Sequence, residues 1–297
     1  YIQDFLNAQR LPASFVQTIE SWYQPLAGNI ARHQESSHGP LMVGINGSQG
    51  SGKSTLAALL ALMLHEKHGL ETVTLSLGDF YLTRDARSRL AEQVHPLLAT
   101  RGVPGTHDVA LMRETLQQLR GERGEVSIPR FDKARDDRCA AAESDRVPLP
   151  CEVVLLEGWC LGTPAQPDEA LHPPVNDLEA LEDPDGSWRR FVNGQIDSAY
   201  MDVYQLLDLW VMLQAPSFDS VYRWRLEQEE KLAALLLKDG RDGTPDTLMS
   251  GPEIERFIKY YQRLTEYSLR ELPGRVHYLF RLDEARRVVA YEEPRSV

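Results

Sequence analysis

A three-layer α/β architecture, a parallel sheet with helices on both faces, is predicted by two observations on this sequence. The first is the stretch Gly47, Ser48, Gln49, Gly50, Ser51, Gly52, Lys53, Ser54, a complete match to G-x-x-x-x-G-K-[ST]. A short apolar run at 41–45 precedes it, and a segment rich in helix formers at 55–68 follows. Strand, glycine loop and helix is the setting a phosphate cradle needs. The second observation is the alternation of short apolar or β-branched runs with longer helical segments along the rest of the chain. Strands that alternate with helices build a parallel sheet, because each crossover returns the chain to the same edge.

The motif marks a P-loop NTPase, and the elements follow in order. Residues 1–38 predict a helical N-terminal extension, with Phe5, Leu6, Leu11, Phe15, Ile19, Trp22, Leu26 and Ile30 at helical spacing. Pro12 separates two helices there, and 34–40 is a short linker into the core at 39–290. The β-branched stretch 71–77 is a second strand, and 86–94 and 109–119 are helices with a Gly- and Pro-marked loop at 101–108 between them. Residues 126–129 lead into a charged loop at 130–146. The continuous apolar run at 152–156 is a strand buried on both faces. Segment 163–187, rich in Pro, Asp and Glu, predicts a surface insertion. A helix at 188–204, a strand at 207–213, long helices at 218–238 and 252–272, and a last strand at 276–282 complete one domain over 1–297.

Composition narrows the function classes. At 42% hydrophobic and 26% charged, the 297 residues can bury a sizeable core. A net charge of −12 opposes binding to nucleic acid through phosphates. No apolar run approaches the ~18 residues of a membrane span, and no basic region followed by an apolar core marks a leader at the start. Cys139, Cys151 and Cys160 form no C-x-x-C pair, and no zinc-like spacing occurs, so reduced thiols in the cytoplasm are expected. The sequence does not reveal an oligomeric state.

The chemistry follows from the loop. Backbone N–H groups and the helix dipole answer a polyphosphate, the glycines admit close approach, Lys53 reaches the β- and γ-phosphates, and Ser54, followed by Thr55, offers a hydroxyl to Mg²⁺. No N-K-x-D and no L-S-G-G-Q-like segment is present, which argues against GTPases and transport ATPases. Glu157 ends the buried strand, where a carboxylate can bind Mg²⁺ or orient the acceptor. Asp79 follows the second strand and can accept a hydroxyl proton, or can serve as a turn aspartate. Arg223 and Arg225 point to different sides of one helix, so one of them can close over the phosphates while the other packs or pairs. Arg130 and Lys133, with Arg135 and Arg138, make a local basic loop that either meets an anionic substrate or is a charged surface. The stretch 283–287 is the candidate for adenine contacts.

Taken in order, GSQGSGKST, SLGDFYLT, RGVPGTHD, IPRFDK, VVLLEGWCLG and VYRWRLEQE resemble D-glycerate 3-kinases of the plant and bacterial type, relatives of phosphoribulokinase, uridine kinase and pantothenate kinase. The resemblance runs over about 40–290. It implies Mg²⁺-dependent transfer of the ATP γ-phosphoryl group to the 3-hydroxyl of a small anionic substrate, D-glycerate. It also implies an acceptor site near Asp79, Tyr81, Arg101, His107, Asp108, Arg130, Asp132 and Lys133. One position departs: relatives read D-D-F-Y where this chain has Gly78-Asp79-Phe80-Tyr81. Asp79 or Glu157 then takes the role of the base, or catalysis is weakened. Two other readings stay open: a kinase for another hydroxylated acceptor, and an ATP-binding regulatory protein with impaired chemistry.

Overall fold

The apolar runs pair into a six-stranded sheet. The computed structural model describes residues 1–238 and 251–293. In chain order the helices are α1 (Ile2–Ala8), α2 (Phe15–Thr18), α3 (Gln24–Glu35), α4 (Lys53–His68), α5 (Arg84–Gln93), α6 (Val109–Gln118), α7 (Asp177–Glu182), α8 (Ser187–Gln195), α9 (Met201–Tyr204), α10 (Phe218–Lys238) and α11 (Gly251–Glu271). The strands are β1 (Leu41–Gly47), β2 (Thr72–Ser76), β3 (Glu125–Ile128), β4 (Phe131–Asp132), β5 (Asp137–Arg138), β6 (Asp145–Pro148), β7 (Val153–Gly158), β8 (Leu209–Gln214), β9 (Tyr278–Leu282) and β10 (Val288–Glu292).

The main sheet has the order β10-β9-β8-β1-β7-β2. Strand β1 lies parallel between β8 and β7, with Ile45 beside Glu157 on one side and beside Val211 on the other. Strand β2 adds to β7 in parallel and sets Ser76 beside Glu157. Both faces of the central strands are covered, so they read as continuous apolar runs, yet the pleat still divides them. Leu41, Val43, Ile45, Val153 and Leu155 join one buried cluster with Leu26 and Ile30 of α3 and Leu59 and Leu60 of α4. Met42, Val154 and Leu156 join the other with Met112, Leu116, Tyr260 and Leu264.

Several expectations are corrected. The chain does not end its sheet at 282: β10 turns back antiparallel on β9, so the sheet is mostly rather than wholly parallel. The Asp283–Arg287 turn makes that hairpin. The charged loop at 130–146 is bracketed and threaded by two small antiparallel pairs, β3 with β6 and β4 with β5. Two-residue strands leave too little periodicity to read.

Segment 163–187 is more than a surface feature, because its acidic residues go inward. Glu179 and Asp183 are fully buried. Glu179 accepts two hydrogen bonds from Arg263 of α11, at 2.8 and 2.6 Å, and Asp183 accepts from Arg189 of α8 at 3.3 Å. A Pro-, Asp- and Glu-rich composition looks solvated in sequence, and only buried arginine partners reverse that. Breaking a buried pair leaves a stranded charge, so Glu179→Ala is expected to cost about 3–5 kcal/mol. The exposed Glu182, paired with Arg256, should cost ~0–1 kcal/mol on the same change. Urea unfolding of both variants checks this, and equal losses would contradict it.

Candidate active site

The phosphate cradle forms where β1 turns into α4. Gly50 and Gly52 take φ of 78° and 91°, a left-handed backbone that other residues seldom adopt. A Cβ on Gly50 would also stand 2.6 Å from Cβ of Trp224, so α10 seats directly on the loop. The oxygens Ser48 Oγ, Gln49 Oε1 and Ser51 Oγ are buried there with no hydrogen-bond partner among the described residues. Thr55 is half-buried in the first turn of α4.

Across the strand boundary stands Glu157, 6% exposed at the end of β7. Ser54 Oγ donates to its Oε1 at 2.7 Å, and Lys53 Nζ lies 3.9 Å from its Oε2, which is buried and accepts no hydrogen bond among the described residues. A hydroxyl and a carboxylate oxygen that meet beside an uncompensated lone pair suit a hard cation that keeps water and phosphate as its other ligands. Asn46, buried on β1, donates to the Leu161 carbonyl at 2.7 Å and ties the turn after β7 to the strand before the loop.

The next strand over brings the second acid. Ser76 and Asp79 cap a short 3₁₀ turn after β2, where Asp79 Oδ2 accepts the Ser76 N–H at 2.8 Å and Arg130 Nη1 at 2.6 Å. Burial pushes the Asp79 carboxyl above its ordinary value, against the pull of the Ser76 N–H and Arg130, and the charge of Glu157 adds to the rise. Lys133, although exposed, is surrounded by enough protein that desolvation and then the Lys53 ammonium lower its pKa, while Glu157 opposes. Lys53, Glu157, Asp79, Arg130 and Lys133 therefore share one electrostatic neighbourhood.

The loop 101–108 is clamped from outside. Trp159, just past Glu157, donates to the Gly102 carbonyl at 2.9 Å, and Tyr261 of α11 donates to the Arg101 carbonyl at 3.2 Å. The Tyr261 hydroxyl fills the space a Cβ on Gly102 would need, and φ there is 141°. Tyr81 is buried and stacks on His107 with centroids 4.7 Å apart, and its phenol is held well above its usual pKa by burial.

Some expected site residues do other work. His107 is 4% exposed, its Nδ1 bonded to the Tyr200 hydroxyl, and burial lowers its imidazole pKa to about 3. It is a neutral packing residue under Tyr81. Asp108 caps α6 by accepting from Leu111 N at 3.1 Å and pairs with Arg138 at 3.1 Å. Asp132 accepts from Ala134 N, Arg135 N and Arg135 Nε and serves its own turn. Arg223 is exposed and forks onto Glu284 with two 3.1 Å bonds. Arg225 instead lies over Phe257 at 5.6 Å and bears on Tyr261, which places it on the side of the 101–108 loop. The Asp283–Arg287 turn reaches the cradle through Trp224, whose Nε1 donates to the Glu284 carbonyl at 2.7 Å. Sequence reasoning missed Arg87 of α5, fully buried against the charged loop. Ser88 and Arg89 beside it are exposed and polar, so no pattern marks it.

A P-loop whose lysine and serine face an acid on the adjacent strand, under a cationic loop, defines a P-loop kinase of the small-molecule type. The uncharacterized kinase mug58 of Schizosaccharomyces pombe is 32% identical over 252 residues, 80% of this chain and 84% of that protein. The chloroplastic D-glycerate 3-kinase of Arabidopsis thaliana is 31% identical over 231 residues, 75% of this chain but 46% of the plant protein. The solved D-glycerate 3-kinase of Cryptococcus neoformans superposes with a TM-score of 0.73 at 26% identity, covering 95% of this chain and 100% of that one. No family model matches the sequence. The chain belongs to the family of P-loop kinases that includes D-glycerate 3-kinase.

Two predictions follow from this geometry. A side chain at Gly78 would meet only Tyr81 and Ser76, at 3.4 and 3.5 Å, and φ there is ordinary. Gly78→Asp should therefore fold with its melting temperature within a few degrees, about ±0.5 kcal/mol, and calorimetric melting checks this. For His107, the unfolded state gains a proton below 6.5 that the native state refuses down to about 3. Stability is thus complete above 6.5 and falls with pH through that window, at up to about 1.4 kcal/mol per pH unit. Urea titrations from pH 7 to 4 should show a shallower slope for His107→Asn.

Proposed function

We propose that this protein transfers the γ-phosphoryl group of ATP to the 3-hydroxyl of D-glycerate, giving 3-phosphoglycerate and ADP. The observation that carries the reading is the meeting of Lys53 and Ser54 with Glu157 beside a cationic loop, in a chain whose relatives include enzymes named for that reaction. The amides of the P-loop and Lys53 grip the β- and γ-phosphates. Ser54 and Glu157 would hold Mg²⁺, which would neutralise charge on the β- and γ-phosphates.

Asp79 takes the proton of the attacking hydroxyl, since its raised pKa makes it a stronger base than a solvated aspartate. Arg130 holds that carboxylate in place, and Lys133 draws the anionic acceptor toward Lys53. The new Pγ–O bond forms as the bond to the β-phosphate oxygen breaks, and ADP leaves with that electron pair. The transition state is loose, so gripping and charge stabilisation count for more than the base. Arg225 is the better candidate than Arg223 for a cation that closes on the phosphates. The unbridged thiols support a reducing cytoplasmic setting.

Coupled assay of ADP release with D-glycerate, against glycerol, pantothenate and uridine, tests the reading. Release that depends on D-glycerate is expected, and none with any preparation that binds ATP would remove it. Lys53→Ala should lower kcat by about 10²-fold or more with the fold intact, and near-normal turnover would contradict the role given to Lys53. The base must be ionised to work, and its folded pKa is raised. The acid limb of kcat should therefore lie above 3.8, with activity lost as pH falls through it. Asp79→Asn should remove that limb and cost about 10²-fold or more in kcat.

A further inference from the structure

The turn between β4 and β5 carries an aspartate in an unusual position. Asp136 has φ of 54°, a left-handed backbone at a residue that is not glycine. That geometry sends its carboxylate between two arginines from distant elements. Arg87 Nη2 donates to Oδ2 at 2.7 Å and to the Asp136 carbonyl at 3.0 Å, and Arg101 Nη1 bonds Oδ1. The two guanidiniums also flank one ring, with centres 5.7 and 5.5 Å from the centroid of Phe131. Phe131 meets Tyr81 edge-on at 5.2 Å, and Tyr81 lies in the field of Arg101, Arg87 and Glu157. Arg101 also donates to the Lys133 carbonyl at 3.4 Å, and Lys133 feels the charges of Lys53 and Glu157, so the arginine pair borders the neighbourhood of the acid beside the P-loop.

Arg87 is only 1% exposed, yet its Nε and Nη1 reach no hydrogen-bond partner among the described residues. Buried guanidinium donors are seldom left empty, because the lost hydration is costly. Asp136 is the reverse case, with its side chain 37% exposed and carried on a turn between two-residue strands. One partner is fixed and under-used, and the other can be replaced.

We propose that Arg87 and Arg101 form the seat for the carboxylate of the acceptor, and that Asp136 occupies this seat until the acceptor displaces it. The inference rests on the kinase reading above, with a hydroxy acid as acceptor. Exchange of one carboxylate for another keeps the charge of the seat constant. A planar ligand carboxylate can also use the donors that Asp136 leaves empty, since two forks admit bidentate pairing. A neutral triol gains nothing from the same site, so the seat selects acids over alcohols. The turn reopens to solvent when its carboxylate is released.

Calorimetry of D-glycerate, with glycerol as the neutral control, tests this in the presence of Mg²⁺ and a non-hydrolysable ATP analogue. Asp136→Asn and Asp136→Gly both tolerate a positive φ while removing the charge. Each should tighten D-glycerate by about 3- to 10-fold, because the competitor is gone. Arg87→Gln should weaken D-glycerate by about 10-fold or more and leave the affinity for the ATP analogue unaltered. If Arg87→Gln does not fold, the two Asp136 variants decide alone. Unchanged or weaker D-glycerate binding in both, with a lower melting temperature, makes Asp136 a structural staple and overturns the seat while the kinase reading stands. A wild type that binds and phosphorylates no hydroxy acid overturns both together.

Discussion

A triphosphate can be held only where unpaired backbone N–H groups, a cation and a metal-binding oxygen reach the same small volume, and here that volume lies at the carboxyl edge of three adjacent parallel strands. Strand β7 sits between β1 and β2, so Glu157 has the P-loop on one side and the Ser76–Asp79 turn on the other. The 2.7 Å bond between Ser54 and Glu157 is the local expression of that order. Any other order would separate the loop, the acid proposed to hold the metal and the acid proposed as base. Parallel strands all point their carboxyl ends the same way, which is why three short turns can converge without a long excursion of the chain.

Much of what looks like chemistry in the motifs is support for it. In the 101–108 loop, His107 and Asp108 pack and cap, while Gly102 leaves room for the Tyr261 hydroxyl. Trp159 carries a hydrogen bond from the end of β7 to that loop. The loop is thereby tied to the strand that presents Glu157 and to α11 at once. The buried Arg263–Glu179 pair fastens the 163–187 segment to the same helix. A rigid surround of this kind holds the reacting groups in place, and small displacements at such a site are costly to rate.

Charge is distributed unevenly for a reason. The chain is acidic overall, at −12, yet Arg87, Arg101, Arg130 and Lys133 gather around the charged loop beside Asp79. Several of these cations are matched by nearby aspartates, Asp79, Asp136 and Asp145 among them. Paired arginines keep their positions when no anion is bound, and the surrounding acidity does not cancel a field that acts over a few ångströms. The anionic acceptor proposed above would meet a site that is already arranged.

The amino-acid sequence alone determined the P-loop, the strands that carry it and Glu157, and the alternation that makes an α/β sheet, because these features are local: a loop pattern, a pleat, a helix period. Its motif order was also enough to point to the kinase family. It did not reveal β10, which pairs back on β9 through the 283–287 turn, or the two-residue strands of the charged loop, which are too short to show a period. Nor could it separate Arg223 from Arg225 beyond their opposite directions, since what each meets, Glu284 or Phe257, comes from elsewhere in the chain. Arg87, Asp136 and the inward-turned Glu179 became visible only in three dimensions. The meaning of a charged side chain is set by the partner that desolvates it, and those partners are 49 and 84 residues away.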